Sequence, residues 1–416
     1  MRIVISGQTY YPGNNGQAIF SIHLAEGLAR AGHEVAVIVP ASGFAYQTEK
    51  IHGVQVHRLH SIPLSLLHPE AFLNPFPGFK IRAILEDFQP DVLHIQDHYF
   101  LNWDGVRIAR QMGIPIMGTN HFLPENLLPY ITWLPLPREF KVYVLWQLML
   151  WTYHQVDMVT TPTETAARIL GRQKIDVPIF PVSCGVDTNW FKPMAGFDRE
   201  AVLHRWGLNP EAVTFLYVGR LDREKRIDLL LRGLARLHQD SRYRKVQTPV
   251  QLAVAGRGSA GSELRALADA LNLESQVAFL GYVPAPDLPD LYRASDVFCM
   301  PSPEELQSIA TLEAMASAKP VIAANARALP ELVTPDVNGT LFEPGRVEAA
   351  ADAMLWMLER QARWADMGLA SRSRAVAHSL ENTIRRYEEL YARLLETAPR
   401  AYRSARRSKA AVSLKQ

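Results

Sequence analysis

A pair of basic residues follows the first apolar segment in the second half of the chain. The sequence VGRLDREK places Arg220 directly after an expected strand and Lys225 five residues later, ahead of a helical pattern. A guanidinium makes a planar, two-pronged contact with phosphate oxygens, and an ammonium supplies a point charge. Together they suit a departing nucleoside diphosphate, whose developing charge they would stabilise. The alternative is a solvated charge run, which is our interpretation of Arg223, Glu224 and Arg226.

Two acidic residues form a second candidate group. Glu305 and Glu313 are separated by seven residues in the segment PEELQSIATLEAMA, the first in an expected loop and the second in an expected helix. A carboxylate accepts two hydrogen bonds and therefore suits the hydroxyls of a sugar or a ribose. Glu313 stands in an apolar run where a bare charge would be costly, so we expect a buried partner or a polyol ligand. The alternative is a surface glutamate on an amphipathic helix.

A glycine-containing loop precedes the first helical pattern. Residues 7–16 read GQTYYPGNNG, and glycines allow close approach of a phosphate while the helix start offers free amides. The spacing is neither GxGxxG nor GxxxxGK[ST], so it supports neither a nicotinamide dinucleotide site nor a P-loop. Anion binding and a purely structural turn both remain open for this loop.

Alternating apolar runs and helical patterns position these residues. We expect strands at 2–6, 34–39, 54–59, 91–95 and 115–119, and again at 214–218, 250–255, 277–280, 297–300 and 320–323. Strands separated by helices give parallel sheets with right-handed crossovers. The predicted fold is therefore α/β, with two doubly wound domains that face one another across a cleft and bind ligands at the carboxyl ends of their strands.

The domain boundaries follow from the same pattern. The first domain is predicted at 1–190 and the second at 198–378, with a closing helix at 379–398 that packs back toward the first domain. Residues 399–416 form a basic tail. This tail is either a frayed, solvated terminus or a segment attracted to anionic lipid headgroups.

Composition excludes several classes of protein. Among 416 residues, 44 Lys and Arg balance 42 Asp and Glu, so a nucleic-acid binder that works by bulk positive charge is not expected. Cys184 and Cys299 cannot build a disulfide framework, and a reducing compartment is the simplest interpretation. Neither a signal peptide nor a spanning helix is predicted, the nearest apolar run being 142–151.

In combination, the motifs resemble a known family. GHEV at 32–35, PDVLHIQ at 90–96, CGVDTNWFKP at 184–193, VGRLDREK, AGRG at 255–258 and the Glu305–Glu313 block are similar to those of retaining nucleotide-sugar glycosyltransferases. These enzymes have two Rossmann-like domains, the GT-B type, and include the large bacterial group 1 family of lipid and cell-wall transferases. The resemblance covers nearly the whole chain.

This resemblance implies a role for each candidate residue. Gly16 would approach the donor diphosphate from the first domain, and Arg220 and Lys225 would hold it from the second. Glu305 would bind the donor sugar and Glu313 the ribose. The remaining implied donor contacts are His121 facing the sugar, Gly281 against the base, and the helix start at Ser308, Ile309 and Ala310.

The chain also departs from the family pattern. Asn14-Asn15-Gly16 stands where a glycine pair is usual, which affects the diphosphate contact, and ELQSIATLE replaces EGFGLVLLE, which puts the identity of the donor in doubt. An Asp-x-Asp pair is absent, in agreement with metal-independent transfer, so no metal is predicted. No cofactor is expected, because the nucleotide sugar is a co-substrate.

The predicted reaction is transfer of a hexose to an acceptor hydroxyl with retention of configuration. A sugar-nucleotide epimerase on the same architecture and an NAD-dependent oxidoreductase are the alternatives. The aromatic and aliphatic segments at 64–79 and 126–153 suggest either a membrane-facing surface or, in part, a buried helix. A diacylglycerol or glycolipid acceptor, at a cytoplasmic enzyme peripheral to the inner face of the cell membrane, is the leading hypothesis. The oligomeric state is not specified.

Overall fold

The computed structural model describes residues 1–13, 15–41, 43, 45–64, 72–246 and 248–397. Within them the chain forms two compact units, one of residues 1–183 with 383–397 and one of residues 184–382. Each unit is built on a largely parallel sheet, which confirms the prediction of two Rossmann-like α/β domains. The N-terminal segment of the first unit ends at Ser183, a few residues before the predicted domain boundary at 190.

The first unit contains an eight-stranded sheet in the order β10-β9-β8-β7-β1-β2-β4-β3. Its strands are β1 (Arg2–Ser6), β2 (Glu34–Pro40), β3 (Gln47–Ile51), β4 (Val54–Leu59), β7 (Val92–Ile95), β8 (Ile116–Thr119), β9 (Met158–Thr161) and β10 (Ile179–Pro181), and β5 (Ile62–Pro63) and β6 (Phe72–Leu73) pair separately. Its helices are α1 (Gly16–Arg30), α2 (Gly78–Phe88), α3 (Phe100–Met112), α4 (Arg138–Tyr153) and α5 (Glu164–Gly171). Only β3 runs antiparallel to its neighbour among the described strands of this sheet.

The second unit contains a six-stranded parallel sheet in the order β13-β12-β11-β14-β15-β16. Its strands are β11 (Val213–Val218), β12 (Val250–Ala255), β13 (Val277–Gly281), β14 (Val297–Met300), β15 (Val321–Ala324) and β16 (Gly339–Phe342). Its helices are α6 (Arg199–Arg205), α7 (Ile227–Gln239), α8 (Tyr243–Val246), α9 (Gly261–Ala270), α10 (Leu288–Ala294), α11 (Ile309–Ala316), α12 (Leu329–Leu332), α13 (Val347–Leu358) and α14 (Trp364–Ala377).

The last described helix, α15 (Leu380–Thr397), belongs mainly to the first unit. Its buried residues Tyr387 and Tyr391 recur at helical spacing on one face. The Tyr391 hydroxyl lies 2.7 Å from Nδ1 of the buried His94 on β7. A β-carbon at Gly27 on α1 would come within 2.5 Å of Ile384, so glycine lets α15 pack closely there.

Besides the short pair β5 and β6, four strands of the two main sheets lie outside the sequence-based expectation. β3 reads QTEKI and is mostly exposed, so it lacks the apolar signal of a strand. β9, β10 and β16 are each three or four residues long, and such short runs carry little periodicity. In each case pairing with an existing sheet defines the strand, and a single sequence does not show that pairing.

Candidate functional site

The loop after β11 is shaped by close backbone packing. Gly256, at the end of β12, has a φ of +140°, and a β-carbon on it would lie only 1.8 Å from the carbonyl oxygen of Gly219. Only glycine fits such a contact, which explains this position of the AGRG motif. The buried Tyr217 donates its hydroxyl to the Arg220 carbonyl at 2.8 Å. The contacts of Tyr217 and Gly256 therefore fix the conformation of the loop that carries Arg220 and Lys225.

Arg220 is held by two carboxylates. Its guanidinium contacts Asp222, and its Nη2 donates to Glu224 Oε1 at 2.7 Å. Asp222 in turn accepts hydrogen bonds from the amide and hydroxyl of Ser259 at 3.0 and 2.8 Å. The interpretation of Glu224 as a solvated charge is wrong, because its side chain is only 13% exposed and orients the arginine. Arg223, by contrast, is 81% exposed, as expected of a solvated residue.

Lys225 and Glu305 meet directly. They are 80 residues apart in sequence, and the Lys225 Nζ lies 2.6 Å from Glu305 Oε1. Both side chains are largely but not fully buried. Lys225 ends a short 3-10 turn, Arg223–Lys225, and Glu305 lies in the loop between β14 and α11. The fold therefore brings Lys225, which we expect to bind the diphosphate, into contact with Glu305, which we expect to bind the sugar.

The start of α11 lies in the same loop region. Ser308 is the N-cap, and its hydroxyl accepts a hydrogen bond from the Thr311 amide at 3.2 Å. The buried Ser308 side chain is thus used inside the helix, while the first-turn amides of Ile309 and Ala310 have no partner within the helix. Both residues are partly exposed. A ligand at this end would meet backbone amides rather than the serine hydroxyl.

Glu313 is buried and paired. Its residue is 9% exposed, and the buried Tyr292 hydroxyl donates to Glu313 Oε2 at 2.7 Å. Burial raises the pKa of Glu313 to about 7, although the tyrosine hydrogen bond opposes the shift. The expectation of a buried partner is confirmed, and the alternative of a surface glutamate is wrong. Nearby in the same unit, Gly281 ends β13 with a φ of +69°, and its carbonyl accepts from the Gly256 amide at 2.7 Å.

Two further candidates, Gly16 and His121, lie in the first unit. Gly16 opens α1 behind the N-cap Asn15, whose side chain accepts from the Ala18 amide at 2.7 Å. A β-carbon at Gly16 would meet no atom within 4 Å, so this side of the helix start is open. His121 Nε2 lies 2.8 Å from Gln96 Oε1, and burial lowers the pKa of His121 to about 3. His121 is therefore neutral at physiological pH.

A buried polar cluster follows β7, and the sequence reasoning missed it. The Asp97 carboxylate accepts from the Gln8 amide at 2.6 Å, from Gln17 Nε2 at 3.0 Å, from Asn102 Nδ2 at 2.9 Å and from the Tyr99 amide. Its neighbour Gln96 contacts His121. The signal was present in the sequence, because Gln96-Asp97-His98 follows an apolar strand directly. These residues line the carboxyl edge of the first sheet.

The described part of the chain shows neither a metal-binding group nor a membrane-spanning helix. No group of three or more His, Cys, Asp or Glu in it is arranged to hold a metal ion. None of its helices combines the length and apolarity that crossing a bilayer requires.

Comparison with known proteins places the chain in a family. A model described as glycosyl transferases group 1 matches residues 198–374, and one described as glycosyltransferase family 4 matches residues 14–190. A D-inositol 3-phosphate glycosyltransferase from Actinosynnema mirum is 30% identical over 356 residues, 82% of this chain and 82% of that protein. An alpha-monoglucosyldiacylglycerol synthase from Streptococcus pneumoniae is 27% identical over 351 residues, 82% of this chain and 75% of that protein.

The fold agrees with this family. Alr3699/HepE from Anabaena, solved in complex with UDP, superposes with a TM-score of 0.74 at 19% identity, over 94% of this chain and all of that one. Fold and motifs together define a GT-B glycosyltransferase that uses a nucleotide sugar. The chain belongs to the group 1 glycosyltransferases, as the sequence motifs predicted.

Proposed function

We propose that the enzyme transfers a hexose from a nucleoside diphosphate sugar to a lipid hydroxyl, with retention of configuration and without a metal or cofactor. In this proposal Arg220 and Lys225 bind the diphosphate, and the amides of Ile309 and Ala310 add backbone donors. Glu305 binds hydroxyls of the hexose and Glu313 the ribose hydroxyls. Gly281 lies against the base, Gly16 approaches the diphosphate, and His121 faces the sugar.

The contact between Lys225 and Glu305 carries this assignment. A cation and a carboxylate 2.6 Å apart offer phosphate and hydroxyl recognition at adjacent points, which is the chemistry of a sugar joined to a diphosphate. Each group also orients the other before the donor arrives. Arg220, held by Asp222 and Glu224, presents its guanidinium from the same loop.

The proposed reaction proceeds on one face of the sugar. The bond between the anomeric carbon and the phosphate oxygen breaks, and the acceptor oxygen bonds to the same face of that carbon. The departing phosphate oxygen takes the proton of the acceptor hydroxyl. The cations and amides around the diphosphate then supply most of the stabilisation, because negative charge accumulates there in the transition state.

An exposed apolar face of α4 supports a lipid acceptor. One side of this helix is buried through Trp146, Met149, Leu150 and Tyr153. The opposite side, which we call the α4 outer face, exposes Phe140, Tyr143, Val144, Leu148 and Trp151. The predicted alternative of a buried apolar helix therefore holds for one side only. Large exposed apolar patches mark binding surfaces, and Trp and Tyr favour the interface between membrane and water.

The same surface supports a proposal for the location of the enzyme. We propose that the enzyme is cytoplasmic and peripheral to the inner face of the membrane, with the α4 outer face against the lipid. The product named for the Streptococcus pneumoniae relative, an alpha-monoglucosyldiacylglycerol, is a glycolipid, in keeping with transfer to a lipid hydroxyl. The basic tail at 399–416 and residues 65–71 of the apolar segment at 64–79 lie outside the described residues.

A donor screen tests the assignment. Thermal-shift measurements with UDP-sugars, GDP-sugars and NAD should show stabilisation by a nucleotide sugar, and stabilisation by NAD alone would refute the proposal. Glu305→Gln should then lower kcat by about 100-fold, because a neutral amide forms no ion pair with Lys225 and has one acceptor oxygen where the carboxylate has two. Glu304→Gln, in the adjacent and more exposed position, is the matched control. Normal turnover in a folded Glu305→Gln protein would remove this residue from the site.

A further inference from the structure

The loops at the carboxyl edge of the first sheet contain no basic residue. Lys and Arg are absent from the stretches of the first unit that follow a strand of this sheet at that edge, namely 7–29, 41–49, 60–79, 96–106, 120–137, 162–167 and 182–183. This holds for the whole sequence of those stretches, including residues outside the described ranges. Because ligands of doubly wound sheets bind at the carboxyl ends of the strands, a charged phosphate group bound here would find no Lys or Arg from these loops.

The other ionisable side chains that we consider at this edge also supply no positive charge. Burial lowers the pKa of both His98 and His121 to about 3, so neither is a cation at neutral pH. Burial raises the pKa of Asp97, and the four hydrogen bonds that its carboxylate accepts from the protein oppose this shift, so Asp97 supplies no positive charge in either state. The side chains of this edge are therefore neutral or negative, so a phosphate group would meet only uncharged donors here, such as the backbone amides at the α1 start beside Gly16.

Neutral hydrogen-bonding groups are concentrated at the same place. Unpaired buried atoms follow three neighbouring strands: Gln8 Nε2 after β1, Gln96 Nε2 and His98 Nδ1 after β7, and Asn120 Oδ1 after β8. All four residues are at least nine-tenths buried. Buried polar atoms without partners are costly and uncommon, so their grouping on adjacent strand ends indicates that they serve a ligand. Two amide donors, an amide oxygen and an imidazole match the donors and acceptors of hydroxyl groups.

We infer that the carboxyl edge of the first sheet recognises an uncharged, hydroxyl-bearing acceptor headgroup, such as a glycerol or a neutral sugar, and discriminates against a phosphorylated one. This inference rests on the proposed glycosyl transfer and specifies the acceptor class for it. Gln8, Gln96, His98 and Asn120 form the recognition group, and they reach the hydroxyls by local rearrangement of their side chains when the acceptor binds.

Matched acceptor pairs test the inference on the unmodified full-length protein. With the donor identified by thermal shift, transfer is measured to octyl glucoside and its 6-phosphate, to myo-inositol and inositol 3-phosphate, and to diacylglycerol in mixed micelles. We expect at least one neutral acceptor to be used, with a kcat/KM about 100-fold above that of its phosphorylated partner. Equal or better use of the phosphorylated partner overturns the inference, and so does failure of every neutral acceptor. Both outcomes leave the donor assignment standing, whereas absence of any nucleotide-sugar binding would defeat the proposed function itself.

A substitution locates the discrimination. Gln8→Leu should lower kcat/KM for the neutral acceptor about tenfold, with no change in the thermal shift caused by the donor. Gln251→Leu is the matched control, because Gln251 is a similarly buried amide on β12 whose partners are Asn209 and Thr214. If Gln8→Leu does not fold, Asn120→Asp supplies the second variant and should weaken use of phosphorylated acceptors further. Unchanged acceptor kinetics in both folded variants would contradict the inference.

Discussion

The carboxyl edges of the two sheets differ in charge. In the second unit, Arg220, Lys225 and Arg226 follow β11, and Arg257 follows β12. In the first unit the corresponding loops hold no Lys or Arg, and their buried polar groups include amides, neutral imidazoles and the Asp97 carboxylate. Two sheets of the same architecture thus carry side chains of different charge at the same edge. In the function that we propose, this difference separates recognition of a charged donor from recognition of a neutral acceptor.

The largest effect is expected at the cationic edge. Arg220→Ala should lower kcat by about 1000-fold, because it removes a two-pronged cation from the diphosphate and leaves Glu224 unpaired. Arg223→Ala, three residues away and 81% exposed, is the control and should be nearly silent. Steady-state kinetics with the identified donor would measure both. Comparable losses in the two variants would mean that the loop responds to net charge and not to the position of Arg220.

The next effect concerns the backbone that supports this edge. Gly256→Ala should destabilise the protein by about 2–4 kcal/mol, because the new β-carbon would collide with the Gly219 carbonyl at a φ of +140°. Gly261→Ala is the control, since its β-carbon would only reach Leu221 at an ordinary distance of 3.8 Å. Denaturant unfolding measures the difference. Equal stability of both variants would show that the loop is not fixed by this contact.

A smaller effect is expected at the neutral edge. His121→Phe keeps a ring beside Phe20 but removes the hydrogen bond to Gln96, so kcat should fall about tenfold. His238→Phe, a histidine in the second unit whose ring packs against Tyr243, is the control. Because the pKa of His121 is about 3, the wild-type pH profile should show no step from this residue near pH 6.5. Such a step, lost in His121→Phe, would show that His121 is charged in the functional range.

The smallest effect is a pH dependence of stability. Burial raises the pKa of Glu313 from 4.5 to about 7, so between these values the folded protein retains a proton that the unfolded chain releases. The contribution of Glu313 to the free energy of unfolding must therefore fall as the pH rises through that window. The Tm of the wild type relative to Glu313→Gln should decline between about pH 5 and pH 8. A constant difference across this range would contradict the raised pKa.

The sequence predicted most of the fold because the central strands are continuous apolar runs. Val250–Ala255 and Val297–Met300 begin and end where the runs do. It could not predict β3, whose exposed residues QTEKI acquire strand structure only by pairing with β4. It predicted Glu313 as buried and paired because a carboxylate in an apolar helix needs a partner, although the partner, Tyr292, could not be named.

The site was predictable residue by residue but not as a set of contacts. Arg220 and Glu224 are four residues apart, and only the turn at Arg223–Lys225 shows that they meet. Lys225 and Glu305 are joined by the arrangement of β11 and β14 as neighbours in the sheet, which no local pattern encodes. The polar group at Gln96–His98 was overlooked because each residue alone resembles an ordinary loop residue. What distinguishes this group is that Gln96 Nε2 and His98 Nδ1 are buried without a hydrogen-bond partner, which a sequence does not show.

The position of α15 has a consequence for biosynthesis. Residues 383–397 complete a unit that otherwise ends at Ser183, so the ribosome must make the entire second unit before the first can be finished. Until Tyr387 and Tyr391 emerge, His94 on β7 lacks its tyrosine partner and the ring of Phe20 lacks its contact with Tyr387. The second unit, encoded by one continuous stretch, is free to fold earlier. Nascent chains stalled before residue 383 should therefore protect the later-encoded unit from protease sooner than the earlier-encoded one.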